Sequence, residues 1–471
     1  MVKLTQLTGC LALFFVVPLT TLAQDPIPIL PAADSLTGRA DQMDRSGQPD
    51  STRKTTAEGR ANKASPRNKS DTVKQHVPIK ENVPIQQHIA IKEDVPIKAH
   101  IPTTQKDTAG QAKRADSIKQ ADKPTLKIGG ALRFNYNLSS WKKEQVKRGG
   151  DFGLDMFRIN VDASHKKLDF HAEYRFYAKA SGGSFLKDGY LTYHFNDSTN
   201  LAIGLVQNPF GNTTYNSHNW FFNLPYYLGF EDKASMGIRF HQRSNRWMYD
   251  LAFFKSAMEL DFGDKTSIDP SRYSYDVAGR NKEVNQGNVR TEYLLSENKR
   301  IGISGMLGGV YNIPTGNMGS RWAAAIHTDL TFGKFNVKLQ SMYYQYHLAD
   351  STQYNQTVNL GAYGSTYDVA TKAYLHTASV AFTQPVKIGP VSSITFYENY
   401  SYMDKTQKGS TDTQMNVLGM MLNAGNLVTY VDWASGKNQP WLGPEWQNGL
   451  ASGNPDAKWH SRFNINIGYY F

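Results

Sequence analysis

Cysteine is all but missing from this 471-residue chain, which has only Cys10. Long apolar runs are missing as well. Beyond the N-terminus no stretch approaches the roughly 18 apolar residues that a spanning helix needs, which excludes a helical membrane protein. There is no basic cluster either. The formal net charge is +11, but Lys and Arg exceed Asp and Glu only by 17 to 13 over residues 24–123 and by 34 to 28 from Pro124 onward. A thinly spread surplus without interleaved aromatics argues against a nucleic-acid partner.

The N-terminus has the layout of a secretory leader: Met1-Val2-Lys3, an apolar stretch from Leu11 to Leu19, then Thr21-Leu22-Ala23. Residues 1–23 are expected to be a signal peptide cleaved after Ala23. Leu7-Thr8-Gly9-Cys10 superficially matches a lipoprotein box, but here the apolar region follows the cysteine when it should precede it. The mature chain is then cysteine-free. That suits an oxidising compartment and removes disulfide, thiolate-metal and cysteine-nucleophile chemistry.

Residues 24–123 contain no Trp, Tyr or Phe. Such a segment buries too little apolar surface to offset the entropy of ordering, so it is expected to be a disordered periplasmic tail. Within it Val77, Val83, Ile89, Val95 and Ile101 open six-residue units, four of them followed by Pro78, Pro84, Pro96 and Pro102. Five units are short for a β-helix and the prolines remove backbone donors, which favours an extended linker.

What the chain does have is 26 Tyr, 23 Phe, 8 Trp and 38 Gly in a sequence that is hydrophilic overall. Strands that alternate apolar and polar faces reconcile the two. Leu168, Phe170, Ala172, Tyr174 and Phe176 alternate with Asp169, His171, Glu173 and Arg175, and the last segment alternates in the same way up to Tyr469 and Phe471. Sixteen such segments are expected: 125–137, 152–165, 168–179, 186–195, 199–207, 234–242, 246–256, 287–297, 300–312, 321–333, 334–348, 371–384, 391–404, 412–423, 426–435 and 459–471. The connections alternate between tight turns and longer loops, the longest being 208–233, 257–286, 349–370 and 436–458. This asymmetry points to an all-β chain forming a closed antiparallel transmembrane β-barrel over residues 124–471, with both termini on the tight-turn, periplasmic side of a Gram-negative outer membrane. Tyr469 and Phe471 are expected to be read by the barrel-assembly machinery. Trp141, Trp220, Trp322, Trp433 and Trp441 fall near strand ends, where interfacial girdles need such rings.

The alternation places Arg158, Arg175, Lys179, Arg239, Arg290, Lys338 and Arg462 on the inner face, with Asp162, Asp169, Glu173, Asp188, Asp250, Glu292 and Asp329. Equal numbers of each sign suit cross-strand pairs that brace the wall better than a selective ring. Inward His171, His194, His241, His327 and His460 show no ligand spacing on any one strand, so no metal and no cofactor are expected.

Phe157-Arg158-Ile159-Asn160-Val161 before a tight turn, Glu173-Tyr174-Arg175-Phe176 after it, Asp188-Gly189-Tyr190-Leu191, and Asn208-Pro209-Phe210-Gly211 opening a long loop together resemble the phosphate-selective porin O and P family. The resemblance implies a sixteen-stranded porin in the lipid bilayer, usually a homotrimer, whose third outer loop narrows the channel. Here that loop is 208–233, with Asn219, Trp220, Tyr226, Tyr227 and Lys233 as its constriction residues. The chain departs from the family in lacking a cationic throat, because Lys233 stands at the far end of the loop beside Glu231 and Asp232. The expected function is passive diffusion of small hydrophilic solutes or ions, with an anion or phosphate preference implied by the family alone. Competing readings are a structural or cell-wall-tethering barrel and a barrel enzyme. No Ser/His or Asp/His constellation supports the enzyme, and the aromatic-free tail cannot form a receptor plug.

Overall fold

The computed structural model of the protein describes residues 123–213, 215–258, 269–349 and 357–471. The expected leader, and all of the expected tail except Lys123, lie outside the described residues. The strands are β1 (Thr125–Ser139), β2 (Asp151–His165), β3 (Leu168–Phe176), β4 (Ser184–Asn196), β5 (Thr199–Gln207), β6 (Ala234–Ser244), β7 (Trp247–Ser256), β8 (Asp276–Val277), β9 (Asn281–Ser296), β10 (Lys299–Asn312), β11 (Met318–Phe332), β12 (Phe335–His347), β13 (Thr357–Ala362), β14 (Ser365–Ala370), β15 (Lys372–Ile388), β16 (Val391–Asp404), β17 (Thr413–Ala424), β18 (Leu427–Lys437) and β19 (His460–Tyr470).

Sixteen of them close an antiparallel barrel in which β1 pairs with both β2 and β19. These are the sixteen segments expected from the alternation, shifted at their ends by a few residues. The register of the seam runs from Ala131 opposite Tyr470 to Ser139 opposite Arg462. Phe471 completes the seam through reciprocal backbone bonds with Gly130, at 2.8 and 3.1 Å. Both barrel ends therefore lie on the side of the tight turns.

Those turns are uniformly short. Two residues connect β2 to β3, β4 to β5, β6 to β7, β9 to β10, β11 to β12, β15 to β16 and β17 to β18. A two-residue hairpin needs a left-handed backbone to match the twist of its strands, and Gly333 (φ 60°) and Gly425 (φ 60°) supply it where a side chain would be strained.

The outer face carries exposed apolar side chains along the barrel strands, among them Leu126, Ile128, Leu154, Leu191, Ile203, Leu251 and Ile303. The inner face is polar on the tight-turn side. On the long-loop side of β10–β18 it becomes apolar, with Met306, Ala323, Met342, Tyr344, Leu375, Met403 and Met415 all buried.

The loops covering that apolar wall differ from expectation. Segments 257–286 and 349–370 were expected to be irregular, yet β8, β13 and β14 form a separate three-stranded sheet in the order β14-β13-β8. Leu360 of β13 lies opposite Val277 of β8, and both are buried. Strands of two and six residues are too short to print a convincing alternation on the sequence, and they are stable only because the barrel wall is beneath them. Lys179, expected on the inner face of the third strand, stands instead in an exposed 3-10 turn, because β3 ends at Phe176 and the left-handed Gly182 (φ 89°) reverses the chain.

Closure yields a test. A Cβ on Gly130 would meet the Arg158 carbonyl oxygen at 2.5 Å and the Phe471 ring at 2.6 Å. Gly130→Leu should cost about 1–3 kcal/mol through overpacking, seen as a lower folded fraction on unheated gels. A variant as heat-resistant as the wild type would count against this account of the seam.

Candidate functional site in the barrel lumen

The inner wall of β2–β11 carries a lattice of ion pairs that takes in Arg158, Arg175, Arg239, Arg290, His171, His194, His241 and His327, whereas Lys338 on β12 donates to a carbonyl and Arg462 on β19 lies against aromatic rings. Arg158 Nη1 lies 3.0 Å from Glu173, and Arg175 Nε 2.5 Å from the same carboxylate. His171 spans Asp162 at 2.6 Å and Asp188 at 3.0 Å, and His194 meets Asp169 at 2.7 Å. Asp250 gathers Arg239 and His241, both at 2.8 Å, and Arg290 at 3.2 Å. Glu292 takes Arg290 and, at 3.3 Å, His327, while Asp329 takes Arg300 at 2.8 Å. The cause is local: in register Asp162 faces His171 and Asp250 faces Arg290, while Glu173, opposite Asn160, lies diagonal to Arg158, so charges of opposite sign lie directly or diagonally adjacent on one face.

Several inner-wall residues were missed by the sequence reading. Arg133 on β1 pairs with Asp155 on β2 at 2.8 Å, and Lys187 on β4 pairs with Asp188 at 3.1 Å and with Asp232 at 3.2 Å. Arg133 was legible, since Leu132 and Phe134 flank it. Asp155 and Lys187 sit beside register shifts at Arg133/Phe134 and Glu173/Tyr174, where the period-two rule slips by one.

The loop from Asn208 to Lys233, here L3, folds into the barrel and is stitched along the wall by side chains. The Gly211 N–H donates to Ser304 on β10 (2.9 Å), Asn212 N–H to Gln340 on β12 (3.0 Å) and Asn216 Nδ2 to Thr377 on β15 (2.6 Å). The His218 N–H donates to Asn399 on β16 (2.7 Å), and Asn223 Nδ2 donates to Ser379 on β15 (3.1 Å). Lys338 Nζ donates to the Tyr215 carbonyl at 2.7 Å, and Arg290 Nε to the Gly211 carbonyl at 2.8 Å. L3 is bonded mainly to β10–β16, with further contacts to β18 through the Trp220 N–H and Asp432, to β19 through Phe221 and Arg462, and to β4 through Asp232 and Lys187. Tyr215 is 41% exposed, and its phenol is raised chiefly by Asp232, with Lys187 and Arg175 on the β3–β4 wall acting the other way.

The five expected constriction residues are all in or at the end of this inward loop, but they occupy different settings. Asn219 is buried and Trp220 half-buried against Phe221. Tyr226 and Tyr227, in the one-turn helix α1 (Leu224–Tyr227), are buried in an aromatic core with Tyr273, Tyr275 and Tyr367 from the outer loops. The Tyr226 and Tyr363 hydroxyls are 2.6 Å apart. Lys233 is 3% exposed and held by Asp276 at 2.7 Å and Glu283 at 2.6 Å, so it anchors the loop and offers no free charge to a solute. Arg462 lies against the rings of Trp141 and Phe221. Tyr469 and Phe471 are exposed on the outer face at the tight-turn side.

The inner wall of β2–β11 thus carries charges of both signs, most of them paired with one another. Among the described residues no group of three or more His, Cys, Asp or Glu is placed to hold a metal ion.

No family model matches the chain, and no curated protein matches it either. Solved structures do match in fold. OmpF of Salmonella typhi, solved in complex with daunomycin, aligns with a TM-score of 0.50 at 10% identity, covering 75% of this chain and 99% of that one. The outer-membrane channel DcaP of Acinetobacter baumannii gives 0.49 at 11% identity, over 74% and 97%. An anion-selective porin from Comamonas acidovorans gives 0.48 at 11% identity, over 74% and 100%.

Two tests address L3. Asn216 is buried, accepts from Asn212 at 2.9 Å and donates to Thr377, so Asn216→Ala should strand buried partners at a cost of about 1–3 kcal/mol. Hydrogen exchange across residues 215–230 should rise by about tenfold or more, and unchanged protection would refute the anchoring role. Glu231 is buried beside Lys338 and Asp232 with one oxygen on the Asn216 N–H at 2.9 Å, and burial pushes its carboxyl up to about 8. Its folded value lies above its unfolded one, so its contribution is fully present below about pH 4.5 and is lost as the pH rises through about 8. The melting temperature should therefore fall from pH 6 to pH 9 in the wild type and fall less in Glu231→Gln. Parallel pH profiles would contradict the assignment.

Proposed function

We propose that the protein is an outer-membrane porin through which small hydrophilic solutes and ions diffuse passively. The observation that carries this reading is a closed barrel with a polar, charge-paired inner wall into which L3 folds, stitched to β10–β16 by side-chain bonds; in this reading solutes pass beside L3 along the charged wall. The exposed apolar outer face suits hydrocarbon, and closure satisfies every strand edge, which a bilayer demands. In this reading the tight turns and both ends of the barrel face the periplasm, the assembly machinery reads Tyr469 and Phe471, and the protein works as a homotrimer.

An anion or phosphate preference finds little support in the charges. Phosphate recognition relies on guanidinium forks free to grip two oxygens, whereas Arg133, Arg158, Arg175, Arg239 and Arg290 are each committed to a carboxylate. Weak ionic selectivity is the expected behaviour. Purified protein in planar bilayers should give stepwise conductance, with a reversal potential near zero under a tenfold KCl gradient and little change on adding phosphate. Silence at every salt concentration would overturn the porin reading, and a strongly anion-selective potential would overturn the charge argument alone. Asp155→Asn, which frees Arg133, should move the reversal potential toward anion selectivity.

A further inference from the structure

The outer face is apolar around most of the barrel but not around all of it. On β12–β17 two girdles of aromatic rings mark the edges of the apolar band. On the long-loop side Trp322, Tyr343 and Tyr374 follow one another at centroid distances of 5.3 and 4.7 Å. On the tight-turn side Phe335 and Phe382 are 4.9 Å apart, with Phe396 opposite Phe382. Between these girdles lie Ser341 on β12, His376 on β15 and Glu398 on β16, with Asn416 beside them on β17. Their outward direction is fixed by their neighbours: Tyr397, Asn399 and Ser401 are buried inward against the lumen side, as are Leu375 and Thr377. Glu398 and His376 are exposed.

These polar groups form one patch. Ser341 Oγ is 2.9 Å from His376 Nδ1, and Asn416 Nδ2 lies 3.4 Å from Glu398 Oε1. Glu398 faces Val380 and Leu418 across its two strands, both exposed and apolar. Among the described residues no other carboxylate points outward between the girdles. Elsewhere the same band presents Ile128, Leu154, Leu191, Ile203, Leu251 and Ile303.

Acyl chains offer a carboxylate, an imidazole and an amide no hydrogen-bond partner, so such groups in a lipid-facing band are disfavoured unless something polar covers them. Anionic headgroups lie outside the band and would be repelled by Glu398. The patch holds acceptors (the Glu398 oxygens) and donors (the Asn416 amide and the His376 ring) side by side, so it complements a second copy of itself. Symmetry-related copies bring like patches together without any further design. The flanking Tyr343, Tyr374 and Tyr400 add the aromatic area in which interfaces are enriched.

We propose that copies of this chain associate in the membrane through the outer face of β12–β17, with Glu398 of one copy meeting His376 or Asn416 of another. The proposal deepens the homotrimer reading above by naming the face through which copies meet; it rests on membrane insertion and self-association and is independent of what the pore conducts. It is tested on the full chain extracted in mild detergent, by native mass spectrometry, alongside Ala378→Trp at the centre of the patch and Ile303→Trp on the β10 wall. A tryptophan facing lipid is harmless, so Ala378→Trp should fold, which heat-modifiability on gels verifies. The wild type and Ile303→Trp should be oligomeric, and Ala378→Trp should raise the monomer fraction at least tenfold. The described residues contain no cysteine, so Ser341→Cys should give a product of doubled mass with a bis-maleimide in whole cells, and Ile303→Cys should not. A monomeric wild type, an oligomer indifferent to Ala378→Trp, or equal cross-linking from both cysteines would overturn the proposal. A chain washed from membranes by carbonate would overturn the membrane reading and this proposal with it, and a monomeric wild type would overturn the homotrimer reading together with this proposal, whereas an oligomer indifferent to Ala378→Trp would overturn this proposal only.

Discussion

The pairing of β1 with β19 is the constraint on which the rest of the structure depends. A sheet of fifteen hairpin-related pairings still has two open edges, and unpaired backbone groups are costly wherever water is scarce. The seam from Ala131–Tyr470 to Ser139–Arg462, extended by Phe471 against Gly130, removes both edges. Once the sheet is closed, each strand has an inside and an outside, and the period-two alternation acquires its meaning. Everything inside must then be satisfied by other inside groups, which is why the lumen charges are paired and L3 is anchored by so many side-chain bonds.

Inside the barrel two kinds of packing divide the space. Toward the tight turns the wall is braced by a lattice of arginines, histidines and carboxylates. Toward the long loops it is apolar, and L3 with the β8–β13–β14 sheet closes over it as a hydrophobic core of tyrosines, phenylalanines and leucines. An oily core inside a barrel is coherent only because loops from distant parts of the chain meet there. Tyr226 of L3 reaches Tyr363, 137 residues away, and the Tyr367 hydroxyl donates to the Tyr227 carbonyl 140 residues back. These contacts fix L3 among the outer loops and against the apolar wall.

Much of the barrel was legible before any coordinates. Alternation fixed which strand residues share a face, and two-residue connections rich in Gly, Asn and Lys fixed the hairpins. The structure places Arg158, His171, Glu173 and Arg290 on the inner face as the alternation does, because the period holds unbroken in their immediate neighbourhood. The alternation lost Asp155 and Lys187 at bulges, and it carried β3 too far at Lys179, where a glycine-rich reversal follows at once. A local pattern cannot report a bulge, because the extra residue is specified by the partner strand.

What the sequence determined by itself is therefore the set of local, periodic properties: sixteen amphipathic segments, their turns and the polarity of each face. What only the tertiary structure decided is anything that depends on which distant residues become neighbours. Lys233, set at the far end of its loop beside Glu231 and Asp232, is held by Asp276 and Glu283, 43 and 50 residues away. The wall charges, expected to brace one another, find their particular partners only once the sheet is closed, and Lys338 and Arg462 meet a carbonyl and aromatic rings instead. Glu398, unremarked as a letter in the chain, stands out only once its outward direction and the apolar band around it are known. Alternation is a property of one strand, whereas pairing, burial and exposure are set by closure and by loops folding back into the space that closure creates.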